Sequence, residues 1–108
     1  MARRLHTDPE VYDEIEHARQ ILDESRGLGS ELLKALDSTT TRILKAPETF
    51  PHHGRTRSGI EVRSAYLRRF RYRVIFVVRP DLIWVIAFMH EKQEPGYWRV
   101  RLETPPPE

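Results

Sequence analysis

Two apolar runs joined by a short turn constrain the fold of this chain more than any other feature. The runs are residues 70–78 and 82–89, and between them Pro80 stands where proline presets the first central position of a β-turn. The first run alternates aromatic and aliphatic residues with a more mixed set that includes Arg71 and Arg73, which predicts a strand. The second run is apolar on both faces, so we expect a central or covered strand.

A third strand is predicted just upstream, over residues 60–67. Ile60, Val62, Ser64 and Tyr66 alternate there with a more polar set, which is typical of a half-exposed strand. Residues 47–59 have the composition of a loop, and His52 and His53 are interpreted as loop residues. The short segment Ala2–His6 is compatible with one further edge strand.

The N-terminal half predicts a pair of helices over residues 8–46. Asp8 is a suitable N-cap, Pro9 suits the first helical position, and Gly27 and Gly29 end the first helix. The first helix has an apolar stripe at Val11, Ile15, Ala18 and Leu22. The second helix begins at Ser30 and ends before Pro47, with its inner side at Leu33, Leu36, Thr40, Ile43 and Leu44.

These elements predict an α+β fold, in which an N-terminal two-helix hairpin packs on one face of a small antiparallel β-sheet. We expect a single domain over residues 1–103, with the hairpin at 8–46 and the strand meander at 60–90. A proline-rich tail follows at residues 104–108.

Composition narrows the function classes. The chain is 39% hydrophobic and 31% charged, as in globular proteins. It has no cysteine, and its histidines lack ligand spacing, so we expect no metal, cofactor or disulfide. The apolar run Leu82–Met89 is too short to cross a bilayer, and no signal-peptide pattern opens the chain. We therefore expect a cytoplasmic protein.

Charge is distributed unevenly along the chain. Residues 8–37 hold nine acids and three basic residues, whereas residues 55–79 hold eight arginines and one acid, Glu61. Arginine offers phosphate a planar, bidentate pair of donors, so the second block is a candidate surface for a polyanion. A solvated basic face that balances an acidic one is the alternative, and the sequence leaves both open.

The C-terminal half carries a combined pattern: Arg63, then RYRVIFVV at residues 71–78, then WVIAFMHEKQEPGYW at residues 84–98. In combination with the two helices, this pattern resembles the RelE/ParE superfamily, the toxins of type II toxin–antitoxin modules. The resemblance implies a toxin that is neutralised by a cognate antitoxin, with a toxin–antitoxin heterotetramer as one assembly. RelE-type toxins cut messenger RNA on the ribosome and ParE-type toxins poison DNA gyrase, so the resemblance implies the ribosome or gyrase as target.

The resemblance also implies site residues. Those that match the catalytic positions of the RNase branch are Arg63, Arg73, His90, Lys92 and Tyr97. Arg68, Arg69 and Arg71 are candidates for binding an anion or a protein partner. Glu91 and Glu94 flank Lys92, and the Pro-x-Tyr-Trp ending looks more like the ParE branch. An endoribonuclease, a gyrase inhibitor and an inactive member of a repressor complex therefore all stay open. A structural role for Arg63 and Arg73, pairing with Glu14 or Asp37, and for Tyr97 and Trp98, as packing anchors, also stays open.

Overall fold

The computed structural model describes residues 3–55 and 60–103. Its elements in chain order are β1 (Arg4–Thr7), α1 (Pro9–Arg26), α2 (Gly29–Lys45), a 3₁₀ turn (Pro47–Thr49), β2 (His52–Arg55), β3 (Glu61–Leu67), β4 (Tyr72–Val78), β5 (Leu82–His90) and a C-terminal 3₁₀ segment (Tyr97–Glu103). The predicted tail at residues 104–108 lies outside the described residues. Within the described part of the chain, neither helix has the length and apolar character needed to cross a membrane.

The five strands form one sheet in the order β1-β5-β4-β3-β2. The predicted α+β fold is confirmed, with the helical hairpin on the sheet. The sheet is mixed rather than purely antiparallel, because β1 pairs parallel with β5. The predicted edge strand thus exists, with bounds Arg4–Thr7. β5 lies between β1 and β4, which explains why its sequence is apolar on both faces.

Local contacts begin and end α1, and a glycine shapes its corner with α2. The Asp8 side chain accepts a hydrogen bond from the backbone N–H of Glu10 at 3.2 Å, and Gly27 ends α1 in the left-handed region with φ 68°. Gly29 was expected to belong to the stop signal, but it is the first residue of α2. A Cβ atom at Gly29 would lie 3.0 Å from the Cβ of Asp23, so glycine lets the two helices approach closely at their corner.

The hairpin buries one side of each helix on the inner face of the sheet. The predicted stripe of α1 is confirmed, since Val11 and Ala18 are buried and Ile15 and Leu22 pack beside them. The predicted side of α2 is confirmed at Ile43, which is buried, and at Leu36, which packs beside it. It is wrong at Leu33 and Leu44, which are 40% and 37% exposed, whereas Leu32 and Thr39 are buried in addition. Buried Thr39 is accommodated because its hydroxyl donates to the Ala35 carbonyl at 2.8 Å.

The outer face of the sheet, opposite the helices, has its own core. Val62, Ile75, Val77 and Trp84 contribute to it, and Trp98 of the C-terminal 3₁₀ segment packs against them at 1% exposure. The β4–β5 register passes from Ile75↔Ala87 to Phe76↔Val85, so Ile86 is an extra residue on β5. This bulge places both Ile86 and Ala87 in the outer core.

The interpretation of residues 47–59 as loop is wrong for its middle part. β2 pairs antiparallel with β3, with His52 opposite Arg63. The strand is four residues long, contains Gly54 at φ 93°, and shifts register between His52 and Arg55. A strand this short and irregular has no alternating pattern from which it could be predicted.

Candidate functional site

The five residues predicted as catalytic do not meet at one place. The guanidinium group of Arg63, the first of the five, forms hydrogen bonds within the fold. Its Nη1 donates to the backbone carbonyl oxygens of Phe50 at 2.6 Å and Glu48 at 3.2 Å. Arg63 therefore fixes the segment that leads into β2, which is a structural role for this side chain.

His90 lies on the inner face, on the side of the helices. Its ring stands edge-on to Tyr72 with the centroids 5.0 Å apart, and its Nδ1 accepts the backbone N–H of Lys92 at 3.1 Å. The backbone N–H of His90 donates to Oε1 of Gln93 at 2.7 Å. These contacts shape the turn after β5, in which Lys92 is exposed. The sheet thus separates His90 from Arg73, which lies on β4 with its side chain on the outer face.

Tyr97 lies near the part of β5 after Val85, where β1 no longer pairs with it. Its hydroxyl donates to the Glu14 carboxylate of α1, and burial together with this hydrogen bond raises the pKa of the phenol. One alternative left open by the sequence was that Glu14 pairs with Arg63 or Arg73. In the structure Glu14 pairs instead with Arg101, at 3.0 Å between Oε1 and Nη1. Tyr97 and Trp98 anchor the C-terminal 3₁₀ segment, which was a second alternative left open by the sequence.

Arg73 instead belongs to a cluster of cationic and aromatic side chains on the outer face. The outer-face cluster, as we name it, consists of His53, Tyr66, Arg73, Trp98 and Arg99. The Cζ atom of Arg73 lies 4.4 Å from the ring centroid of its cross-strand neighbour Tyr66. The Cζ atom of Arg99 lies 5.7 Å from the Trp98 centroid, and the His53 ring lies 6.0 Å from that same ring.

The electrostatics of the outer-face cluster favour an anionic ligand. Among the described residues, neither Arg73 nor Arg99 has a carboxylate within ion-pair distance. Burial, followed by the positive charges of Arg73 and Arg99, lowers the pKa of His53 below its ordinary value of 6.5. His53 is therefore a neutral imidazole near pH 7, able to accept a proton or a hydrogen bond beside two guanidinium groups.

Neighbouring residues position the cluster. The Tyr66 hydroxyl donates to Oε1 of Glu91 at 3.0 Å, and the Arg71 Nε lies 3.6 Å from the same oxygen. Gly96 adopts φ 81°, and a Cβ atom there would lie 3.1 Å from the guanidinium carbon of Arg99. The glycine therefore permits both the turn before the 3₁₀ segment and the placement of Arg99 across it.

Three members of this cluster, His53, Tyr66 and Arg99, were not predicted as site residues, and Tyr66 was identified only as a strand position. His53 was interpreted as a loop residue because β2 lacks an alternating pattern. Arg99 directly follows Tyr97 and Trp98, which the sequence did single out, but it belongs to none of the patterns that carried the resemblance. The sequence gives only weak signals for His53 and Arg99 as site residues. His53 precedes a glycine, and Arg99 follows a tryptophan.

The predicted anion- or partner-binding arginines separate into two groups. Arg71 pairs with Glu91 beside Tyr66, as described above. Arg68 and Arg69 lie exposed in the β3–β4 turn and, with Arg42 of α2, line a groove of about 300 Å³. Within residues 3–55 and 60–103, no group of three or more histidines and carboxylates is placed to hold a metal ion.

Comparison of the chain with protein-family models gives no match, and no curated protein matches it either. Function is therefore argued from the chain's own residues and fold.

Proposed function

We propose that this chain is the toxin of a type II toxin–antitoxin module, and that it inhibits growth by binding phosphate groups of ribosome-associated RNA through the outer-face cluster. One observation carries the proposal: Arg73 and Arg99 have no acidic ion-pair partner among the described residues, and the positive charges of both reach His53, whose ring lies 6.0 Å from that of Trp98 on the face opposite the helical hairpin. The resemblance to the RelE/ParE toxins supports the cellular role, and the arrangement of a helical hairpin on a β-sheet agrees with that resemblance as an analogy of fold.

Expression of the chain from an inducible promoter in a bacterial host tests this proposal. We expect protein synthesis to stop before DNA synthesis, when both are followed by pulse labelling. Arg73→Ala with Arg99→Ala should abolish growth inhibition, because the two unneutralised guanidinium groups are lost. Arg26→Ala is the matched control, since Arg26 is exposed in the last turn of α1, and it should remain inhibitory. Early arrest of DNA synthesis with damage at gyrase sites would contradict the proposal and support a gyrase inhibitor.

Cleavage of the bound RNA is a second candidate, which His53 specifically favours. In such a reaction His53 accepts the proton of a ribose 2′-hydroxyl, and the 2′-oxygen bonds to the adjacent phosphorus. The bond from phosphorus to the 5′-oxygen then breaks, and that oxygen takes a proton from water. Arg73 and Arg99 stabilise the additional negative charge on the phosphate oxygens during transfer.

The two candidates differ in the fate of the message. Primer extension on messenger RNA recovered from inhibited cells should reveal new 5′ ends if the chain cleaves RNA. His53→Gln should then abolish cleavage and leave RNA binding in place, because both arginines remain. Intact messenger RNA on stalled ribosomes would instead support inhibition by binding alone.

A further inference from the structure

A cavity lies between α1 and the end of the sheet, on the face opposite the outer-face cluster. We call it the inner-face cavity, and Ile21, Tyr72, Phe88, His90 and Gln93 contribute to its lining. Its volume is about 380 Å³, within the range of about 300–1,000 Å³ that is usual for small-molecule sites. The cavity is therefore large enough for a small ligand.

The sides of the inner-face cavity are mainly apolar and aromatic. On the side of α1, Ile21 is 46% exposed and the His17 ring lies beside it. On the side of the sheet, the Tyr72 ring stacks on buried Phe88 with the centroids 4.8 Å apart, and the His90 ring stands edge-on to Tyr72. A ligand between the two sides would contact an aliphatic side chain and aromatic rings.

Hydrogen bonds within the fold use the acceptors around the cavity and leave its donors unused. His90 accepts the backbone N–H of Lys92 at Nδ1, so the neutral ring carries its proton on Nε2. Gln93 accepts the backbone N–H of His90 at Oε1, which leaves its amide N–H groups. Each oxygen of Glu14, which also lines the cavity, already accepts two hydrogen bonds. The free polar groups are thus donors.

Tyr72 adds a hydroxyl group that the fold leaves without a partner. The residue is 8% exposed, and its hydroxyl makes no hydrogen bond within the described part of the chain. Burial raises the pKa of the phenol, so the group keeps its proton near pH 7 and can donate. Because buried polar groups are normally hydrogen-bonded, this hydroxyl indicates an acceptor that a ligand would supply.

The three donors belong to neighbouring side chains. The His90 ring centroid lies 5.0 Å from that of Tyr72, and the backbone N–H of His90 donates to Gln93 at 2.7 Å. We infer that the inner-face cavity binds a small aromatic carboxylate, with its oxygens accepting from Tyr72, His90 and Gln93 and its ring on Ile21. A cationic ligand would instead bring donors to a site whose acceptors are already used. The inference is independent of the proposed function, which concerns the opposite face of the sheet.

Titration with phenylbutyrate, followed by NMR, tests the inner-face cavity. We expect saturable shifts of the backbone amide resonances of His90 and Gln93. Tyr72→Phe should weaken binding about tenfold and leave thermal unfolding unchanged, because the lost hydroxyl has no partner in the fold. Tyr12→Phe is the matched control, since Tyr12 is 62% exposed on α1 and does not line the cavity, and binding should stay as in the unmodified protein.

A charge exchange at Gln93 separates recognition of the carboxylate from adhesion of an apolar ring. Gln93→Glu keeps an oxygen for the backbone N–H of His90 but replaces the amide donor with a carboxylate. This variant should bind phenylbutyrate at least about tenfold more weakly, and phenylbutylamine more tightly, than the unmodified protein does.

Three results would overturn the inference. The first is equal affinity of the unmodified protein for phenylbutyrate and phenylbutylamine, and the second is the absence of saturation below about 10 mM phenylbutyrate. The third is an unchanged affinity for phenylbutyrate in both Tyr72→Phe and Gln93→Glu. Growth inhibition on expression reports on the outer-face cluster, so its absence would leave the phenylbutyrate result standing.

Discussion

Arg101 and Glu14 together complete the edge of β5 that β1 leaves unpaired. The guanidinium binds the carboxylate through two hydrogen bonds, of 3.0 and 3.1 Å. Arg101 also donates to the Ile86 carbonyl at 2.7 Å, and Glu14 accepts the backbone N–H of Phe88 at 3.0 Å. Two side chains thus make the contacts that an adjacent strand would make, and they protect this edge from pairing with another chain.

Arg101→Ala should destabilise the fold strongly. The Arg101 and Glu14 side chains are only 11% and 17% exposed, so the variant leaves a largely buried carboxylate without its cation. We expect a loss of about 3 kcal/mol in the free energy of unfolding, measured by urea denaturation. Arg101→Met with Glu14→Leu should lose less, because neither charge is then buried alone. A double variant less stable than Arg101→Ala would contradict this account.

Arg63→Met should reduce stability and leave the proposed growth inhibition intact. The variant keeps the apolar stem but removes the donors to the carbonyl oxygens of Glu48 and Phe50, for an expected loss of about 1–2 kcal/mol. Urea denaturation and growth under controlled expression measure the two effects. Full stability with lost inhibition would show instead that Arg63 acts on the target.

His53 should make stability depend on pH in a defined direction. Because its pKa is lowered in the folded protein, the unfolded chain binds the proton more readily. The stability that the neutral form of His53 contributes is fully present above pH 6.5, and it is lost as the pH falls from 6.5 towards the folded-state pKa. Urea denaturation at a pH above 6.5 and at one below it measures this effect. On going to the lower pH, the free energy of unfolding should decrease less for His53→Gln than for the unmodified protein.

Arg73→Ala should raise the pKa of His53, because one of the two nearby positive charges is removed. Titration of the His53 ring proton by NMR measures this change directly. The matched control is His52→Gln, since His52 is the exposed neighbour in β2, and there the His53 titration should stay as in the unmodified protein. An unchanged midpoint in Arg73→Ala would mean that the charge of Arg73 does not contribute to the lowered pKa of His53.

Arg71→Gly should stabilise the β3–β4 turn. Arg71 occupies the left-handed region at φ 62°, where glycine lacks the steric penalty of a side chain. We expect a gain of up to about 1 kcal/mol, since the exposed contact with Glu91 contributes little. Arg68→Gly in the same turn, at an ordinary φ, should reduce stability. Thermal unfolding of the two variants should therefore shift in opposite directions.

Local patterns in the sequence predicted the local parts of this fold. Asp8, Gly27 and the Pro80 turn act through their immediate neighbours, so their roles could be read along the chain. The side of α2 was predicted only in part, because Leu32 and Leu33 are adjacent apolar residues of which either could face inward, and Leu44 was assigned to the inner side together with its buried neighbour Ile43.

The candidate site was only partly predictable, because it depends on contacts across the sheet. Arg73 was identified from its strand, but His53 and Arg99 join it only through the pairing of β2 and the docking of the C-terminal 3₁₀ segment. The hydrogen bond from Tyr97 to Glu14 could not be predicted either, because Glu14 lies 83 residues earlier in the chain. No pattern within a single element records such a partner.

The pairing of Glu14 with Arg101 also orders events during synthesis of the chain. Glu14 leaves the ribosome early, whereas its cation is added 87 residues later. Until then Glu14 lacks its cation, and Arg99 of the outer-face cluster has not been made. A growing chain therefore lacks both the Glu14–Arg101 pair and part of the outer-face cluster until its C-terminal segment has been synthesised and has docked.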